Sequence, residues 1–400
     1  MQGQLIANVK DMKSGRIDFD SCTRISTLAF RELKATGCVI KKGNVLLSKD
    51  GTVGRVVVYE SEQEIGALSS ICLITPQVEQ HPRFLGHALQ SHDCVRQYEN
   101  AMSGSALRRL VLRDIRQIRV PTPAVDEQAT VAEILDTLDT TIRQTEAIIE
   151  KLKQVKQGLL HDLLTRGIDA NGELRPPQSR APHLYKHSPL GWIPNEWTTS
   201  SIDVVCSDVV DCPHSTPSFQ DDGVLVARTM HIKAGVFLER LASRVSEAEY
   251  RDRVVRLRPE PGDVVFTREA PVGEAFVIPA GMRICLGQRV MLLRPRSEVA
   301  LGPFLLAQIY SGAVADRIAA LTAGTTNPHL NVAEVRLFIL PLPPVSEQTL
   351  IQQQLGGLDH RIAVESAERD KLLTLKSGLM DDLLTGRVRV TPLLQSEAAL

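Results

Sequence analysis

Apolar residues recur at alternating steps of four and three along two stretches of the chain. Val131, Leu135, Leu138, Ile142, Thr145, Ile149, Leu152, Lys156, Leu159 and Leu163 mark the first. Ile351, Leu355, Leu358, Ile362, Glu365, Arg369, Leu372, Lys376, Leu379 and Leu383 mark the second. The spacing predicts two long amphipathic helices whose seams suit left-handed helix pairing. Each pattern begins after a proline-containing stretch, with Asp126 and Ser346 as N-cap candidates. About 40 residues at a rise of about 1.5 Å make each helix on the order of 60 Å long. That is too long for one small head to cover, so each helix is expected to pair with the other. The expected pairing residues are Leu135, Leu138, Ile142, Ile149 and Leu152 with Leu355, Leu358, Ile362, Leu372 and Leu379. Glu365 and Arg369 interrupt the second seam, whose middle is expected to fray or to face another protein. Ordinary core helices are the alternative reading.

The remaining sequence follows a different period. Short β-branched runs at Asn44–Leu47, Arg55–Tyr59, Ser70–Ile74, Val264–Thr267, Ala275–Ile278 and Arg289–Leu293 are bounded by Gly, Pro or Asp, which reads as strands. Helical stretches are expected at 82–101 and 302–321. Each head is therefore a mixed α+β domain with a mainly β core. Residues 167–188, polar and proline-rich, read as a linker, and 389–400 as a fraying tail.

The two patterns are copies. PTPAVDEQATVAEILDTLDTTIRQTEAIIEKLKQVKQGLLHDLLT (121–165) aligns without a gap with 341–385, at an offset of 220, and 19 of 45 positions are identical. SGSALRRL (103–110) aligns with AGTTNPHL (323–330), GNVLLSKDGTVG with GDVVFTREAPVG, and LIANVKDMKSG with LVARTMHIKAG. A head followed by a long helix thus occurs twice. Two copies do not make a solenoid; they predict a pseudo-two-fold α+β molecule. The segment 189–224 has no counterpart in the first copy, so the first head is expected to be short at its start.

Composition adds exclusions. The 46 basic side chains nearly cancel 47 acidic ones, which at first weighs against nucleic acid as a partner. By segment the balance changes: residues 1–120 carry 17 basic and 12 acidic groups, 121–169 carry 5 and 9, 170–340 carry 18 and 18, and 341–400 carry 6 and 8. Acidity is concentrated on the helices, where a protein partner is expected. No run of apolar residues is long enough for a transmembrane helix, so no membrane association is expected. Seven scattered cysteines fit a reducing cytoplasm. Cys206, Cys212 and His214 lack the further ligands that a zinc site needs. P-loop, dinucleotide-fingerprint, nucleophile-elbow and zincin motifs are missing. No catalytic residue, metal site or cofactor is expected.

KHSPLGWIPNEW (186–197), PGDVVFTREAPVG (261–273) echoed by KGNVLLSKDGTVG (42–54), AGTTNPHLNVAEVRLFILPLPP (323–344), and SEQTLIQQQLGGLD with KLLTLKSGLMDDLLTGRVRV together resemble the specificity subunit of a type I restriction-modification system. The resemblance covers nearly the whole chain. It implies two mixed, mainly β target-recognition heads separated by a pair of long antiparallel coiled-coil helices. The expected boundaries are 1–123 for the first target-recognition domain, 124–166 for the first conserved spacer helix, 167–188 for the linker, 189–344 for the second target-recognition domain, 345–388 for the second spacer helix and 389–400 for the tail. It implies a non-catalytic, cytoplasmic subunit. Each head would read half of a bipartite site in double-stranded DNA, and the helices would set the spacer. Methyltransferase (M) subunits, which bind S-adenosylmethionine, would dock on the helices, and restriction/translocase (R) subunits would join them.

Loop positions supply candidate DNA contacts. In the first head these are Lys10, Lys13, Lys49, Ser105, Arg108 and Arg109. In the second they are Arg228, His231, Lys233, Arg268, Thr325, Thr326, Asn327 and His329. Arg grips phosphate and reads guanine with paired hydrogen bonds, and Thr and Asn bond phosphates or base edges. Two alternatives stand beside this reading: a coiled-coil scaffold that touches no DNA, and a silent specificity gene with a truncated first head.

Overall fold

The computed structural model describes residues 3–13, 15–102 and 109–391. Both long helices form, at Val125–Thr165 and Val345–Leu384. The second runs unbroken through Glu365 and Arg369, which corrects the expectation of a frayed middle. Glu and Arg interrupt an apolar seam without lowering the helical propensity of the backbone. The chain divides into two compact units, 1–148 with 365–400 and 149–364, so both boundaries fall inside the long helices. Within each unit the start of one long helix packs against the end of the other. In the first unit Val131 and Leu135 share a cluster with Leu379 and Leu383; in the second Leu159 and Leu163 share one with Ile351 and Leu355. Pairing inside each unit is therefore antiparallel. Leu135, Ile142 and Ile149 are buried, and Leu138, Leu152, Leu355, Leu358, Ile362, Leu372 and Leu379 are half-buried.

In the first unit Gln4–Ala7 lies between Thr23–Ile25, antiparallel, and Ile65–Ala67, parallel, with Val39–Ile40 beyond. Gly66 opposes Ile6 there, and a Cβ would come within 2.8 Å of Leu33 Cδ1. A second sheet orders Val56–Val58, Val45–Ser48 and Ile71–Ile74. Its central strand is buried on both faces. Leu46 enters one apolar cluster, while Val45 and Leu47 enter another with Leu85, Tyr98 and Leu110. A strand covered on both sides reads as a continuous apolar run, as VLL does.

The second unit repeats this plan. Val264–Arg268 is the doubly buried central strand: Val265 lies in one cluster, Val264 and Phe266 in the other. Its sheet has four strands, because Cys206–Asp211 pairs with Val290–Pro295. That strand comes from the segment with no counterpart in the first copy. Both expected 20-residue helical stretches are broken in two, into Pro82–Ala88 and His92–Met102, and into Gly302–Tyr310 and Ala313–Thr322. Gly312 makes the second break at φ 107, a backbone region open to glycine.

The stretch 167–188 is no free linker. Ile168, Arg175, Ala181 and Tyr185 are buried, and Tyr185–Ser188 forms a hairpin with Gly191–Pro194. Its polar composition conceals these anchors. The described start of the tail is likewise held, with Val390 buried and Arg389 bonded to Glu127. No single helix among the described residues is long and apolar enough to cross a membrane.

Candidate nucleic-acid interface and its supporting junctions

The loop that follows the central strand is fixed in the same way in both units. Lys49 donates its backbone N–H to the Ser70 carbonyl at 2.9 Å and accepts from the Leu110 N–H at 2.8 Å. Arg268 donates to the Arg289 carbonyl at 2.9 Å and accepts from the Leu330 N–H at 3.0 Å. Next to these bonds sit the isolated bridges Asp50 to Arg109 and Glu269 to His329. A small hairpin adds a third loop to each cluster: Met12–Lys13 with Arg16–Ile17, where Arg55 donates to the Met12 carbonyl, and Ile232–Lys233 with Val236–Phe237, where the Ala234 N–H donates to Glu274. One backbone frame thus presents two different sets of side chains.

Within the frame the candidates separate by exposure. Lys10, Lys13, Arg109, Lys233, Thr325, Thr326, Asn327 and His329 are exposed. Lys13 bonds Asp18 at 2.7 Å, and Arg109 Nε bonds Asp50 at 2.8 Å. Arg228 is half-buried, its guanidinium 4.9 Å above the Phe219 ring, a cation–π geometry. Ser105 and Arg108 lie outside the described residues. Three candidates require correction. His231 is buried edge-on to Phe237 with Nδ1 3.3 Å from the Val226 carbonyl, and burial holds its pKa below the usual histidine value. Arg268 is buried, paired with Asp211 at 3.0 Å and donating to the Leu330 carbonyl at 3.3 Å. Lys49 is buried against Asp50 at 3.1 Å. These side chains brace the loops from within, because a buried charge needs a fixed partner. Sequence reasoning passed over Arg55 and Arg289, both exposed beside the loops. Arg289 lies 3.9 Å from Glu269 at a positive φ of 68. Its backbone role matches that of Ser70, and this equivalence is not visible in the residue types.

Beneath each head, a glutamine near the start of the long helix ties helix to head. Gln128 accepts from the His81 N–H at 2.8 Å and donates to the carbonyls of Glu79 and Pro123 at 3.0 and 2.8 Å. Gln348 accepts from the Leu301 N–H at 2.9 Å and donates to Val299 and Pro343 at 2.9 and 3.0 Å. Both amides are almost fully buried. Gln128→Leu and Gln348→Leu are each expected to cost about 1–3 kcal/mol, because a buried amide and three hydrogen bonds to partly buried backbone groups are lost at each site. Urea denaturation should return similar losses for the two.

The neighbouring glutamates differ. Glu347 is buried and accepts from Arg175 at 2.5 and 3.1 Å, from the Ile168 N–H at 2.8 Å and from Trp197 Nε1 at 3.1 Å. Glu127 pairs with Arg389 at 2.6 and 2.7 Å, and this hydrogen bond and charge hold its pKa below the ordinary carboxylate value. Arg389 itself is largely exposed.

A family model described as the type I restriction modification DNA specificity domain matches residues 21–154 and 249–374, one match on each copy of the repeat. The chain is 24% identical over 303 residues to the type I restriction enzyme MjaVIII specificity subunit of Methanocaldococcus jannaschii, across 72% of this chain and 66% of that protein. It is 23% identical over 377 residues to the type I restriction enzyme EcoDI specificity subunit of Escherichia coli, across 89% of this chain and 78% of that protein. A solved chain from work on complex assembly and conformational transition of the type I R-M system shares the fold with a TM-score of 0.56 at 18% identity, over 96% of this chain and 91% of that one. On the two matched regions and the duplicated fold that carries them, the chain belongs to the type I restriction modification DNA specificity family.

Proposed function

We propose that this chain is the DNA-reading, non-catalytic subunit of a type I restriction-modification complex acting in the cytoplasm. Each unit reads one half of a bipartite site through its three-loop cluster. The long helices set the unspecified spacing and dock methyltransferase subunits, which restriction/translocase subunits join. The observation that carries this reading is the repeated loop frame. Its backbone bonds are the same in both units, while the groups beside them change from Asp50 with Arg109 to Glu269 with His329. A conserved frame with altered exposed chemistry is what two readers of unlike half-sites require, since base edges are told apart by donor and acceptor pattern.

Co-expression with a methyltransferase subunit encoded beside it tests the proposal. Co-purification is expected, together with adenine methylation in both halves of a split DNA sequence. Methylation dependent on only one half-site would mark one unit as silent. Failure to co-purify, with no methylation, would leave a protein scaffold as the better reading.

A further inference from the structure

In the first unit His87, on the Pro82–Ala88 helix, faces Asp136 and Asp139 on the long helix. His87 is 4% exposed. Its Nε2 lies 2.8 Å from Asp136 Oδ1. A carboxylate only accepts, so Nε2 carries the proton. Nδ1 then presents a lone pair, buried and without a hydrogen-bond partner, 4.0 Å from Asp139 Oδ2. Two electron-rich atoms facing each other at that distance are not hydrogen-bonded. A cation bonded to both at about 2.0–2.2 Å would draw them together, since tetrahedral coordination sets such donors about 3.3–3.6 Å apart.

The surroundings fit such an ion. The outer oxygens of both carboxylates are already held, Asp136 Oδ2 by Arg83 at 3.1 Å and Asp139 Oδ1 by Lys376 at 2.5 Å. Asp136 Oδ1 accepts from His87 Nε2, so Asp139 Oδ2 is the carboxylate oxygen left for a ligand. A metal-bound imidazole that donates its other N–H to a carboxylate is a recurring arrangement, and the carboxylate fixes the ring. The three residues line a cavity of about 840 Å³ that also takes in Thr140 and Gln90, with room for water to complete the coordination.

Duplication separates this cluster from the structural apparatus. In the second unit Lys156 pairs with Asp359, at the positions of Lys376 and Asp139. The counterparts of His87 and Asp136 are Ala307 and Gly356. The Lys–Asp pair is therefore common to both junctions, whereas His87 and Asp136 are additions that the second junction folds without.

We propose that His87 Nδ1 and Asp139 Oδ2, with Asp136 orienting the imidazole, form a site for one divalent transition-metal ion of the zinc or cobalt type. An imidazole with carboxylate donors suits such ions better than magnesium or calcium, which prefer oxygen alone. The ion would clamp the first head to the long helix.

The test uses the full chain, freed of any affinity tag, titrated with Zn²⁺ by calorimetry and with Co²⁺ by visible absorption. Wild type should take up one equivalent that His87→Ala does not. Ala307 at the equivalent place predicts that this variant folds. Asp136→Asn should weaken uptake by about 10- to 100-fold through loss of the ring's orientation. Wild-type melting temperature should rise with Zn²⁺, and that of His87→Ala should not. Equal uptake by wild type and a folded His87→Ala, or no saturable uptake by wild type, would overturn the proposal. So would a metal-insensitive wild type whose melting temperature depends on pH only when His87 is present, since a proton would then fill the gap.

Discussion

Glu347→Ala is expected to lower the stability of the second unit by about 3–5 kcal/mol, the usual cost of stranding one partner of a buried ion pair. The carboxylate is the shared acceptor for two Arg175 nitrogens, the Ile168 N–H and Trp197 Nε1. Trp197 is fully buried and Arg175 nearly so. Alanine takes the shared acceptor from a backbone amide, an indole N–H and a guanidinium that keeps only the Arg166 carbonyl at 3.2 Å and Glu196 at 3.6 Å. Chemical denaturation of the purified chain reads the effect, and the midpoint of the second unit should shift more than that of the first. Pairing Glu347→Met with Arg175→Met should recover part of the loss, because the unpaired charge goes with its partner. The repeat supplies an internal control. Glu127→Ala removes the same position from the first copy, but its partner Arg389 stands largely in solvent. Water takes over the guanidinium there, and a loss of about 1 kcal/mol or less is expected. Equal losses at the two sites would show that partner burial does not set the value of this glutamate.

The contrast also shows which parts of the molecule were legible in sequence. The long helices were legible because their information is local and redundant: ten seam positions each, repeated at a fixed offset. A seam interrupted by Glu365 and Arg369 still forms one helix, as hydrogen bonds along the backbone do not depend on the seam being apolar. The central strands were legible because doubly buried strands are continuous apolar runs. The stretch 167–188 was misread because its anchors pair at long range; Arg175 looks like any surface arginine until Glu347, 172 residues later, is placed beside it. The same limit governs the loops. Exposure cannot be read from residue type, so buried Arg268 and exposed Arg289 looked alike, and buried His231 resembled a ligand-facing histidine. His87, Asp136 and Asp139 passed unnoticed for a related reason. Only the packing of a short helix on the long one gathers them, and their spacing matches no linear metal motif.

The second large effect concerns salt. Lys10, Lys13, Arg55, Arg109, Arg228, Lys233 and Arg289 are the exposed or half-buried basic groups around the two loop clusters. If each neutralises one phosphate, these side chains contribute a slope of about −6 to log K against log salt, and a loss on the order of 10³- to 10⁴-fold between about 50 and 200 mM. A methyltransferase partner adds contacts of its own, so the variants isolate this chain's share. Arg109→Ala with Arg289→Ala should make the slope shallower by about 2, with affinity lowered evenly across DNA sequences. The ion pairs of these arginines do not forbid this. The Arg289 guanidinium lies 3.9 Å from Glu269, too long for a hydrogen bond, and Arg109 is exposed despite its bond to Asp50. A phosphate can compete for either, since exposed pairs are worth only about 0.2–1 kcal/mol. If Arg289 instead reads a guanine, the slope of the double variant becomes shallower by only about 1, from Arg109, and discrimination is lost at one base pair, by about 1–3 kcal/mol. Filter binding or anisotropy on cognate and scrambled duplexes at several salt concentrations separates these outcomes. A wild-type complex and double variant with the same slope and the same specificity would remove both arginines from the interface. That result would also explain the near-neutral total charge differently, with the acidic helices no longer offsetting heads built for DNA.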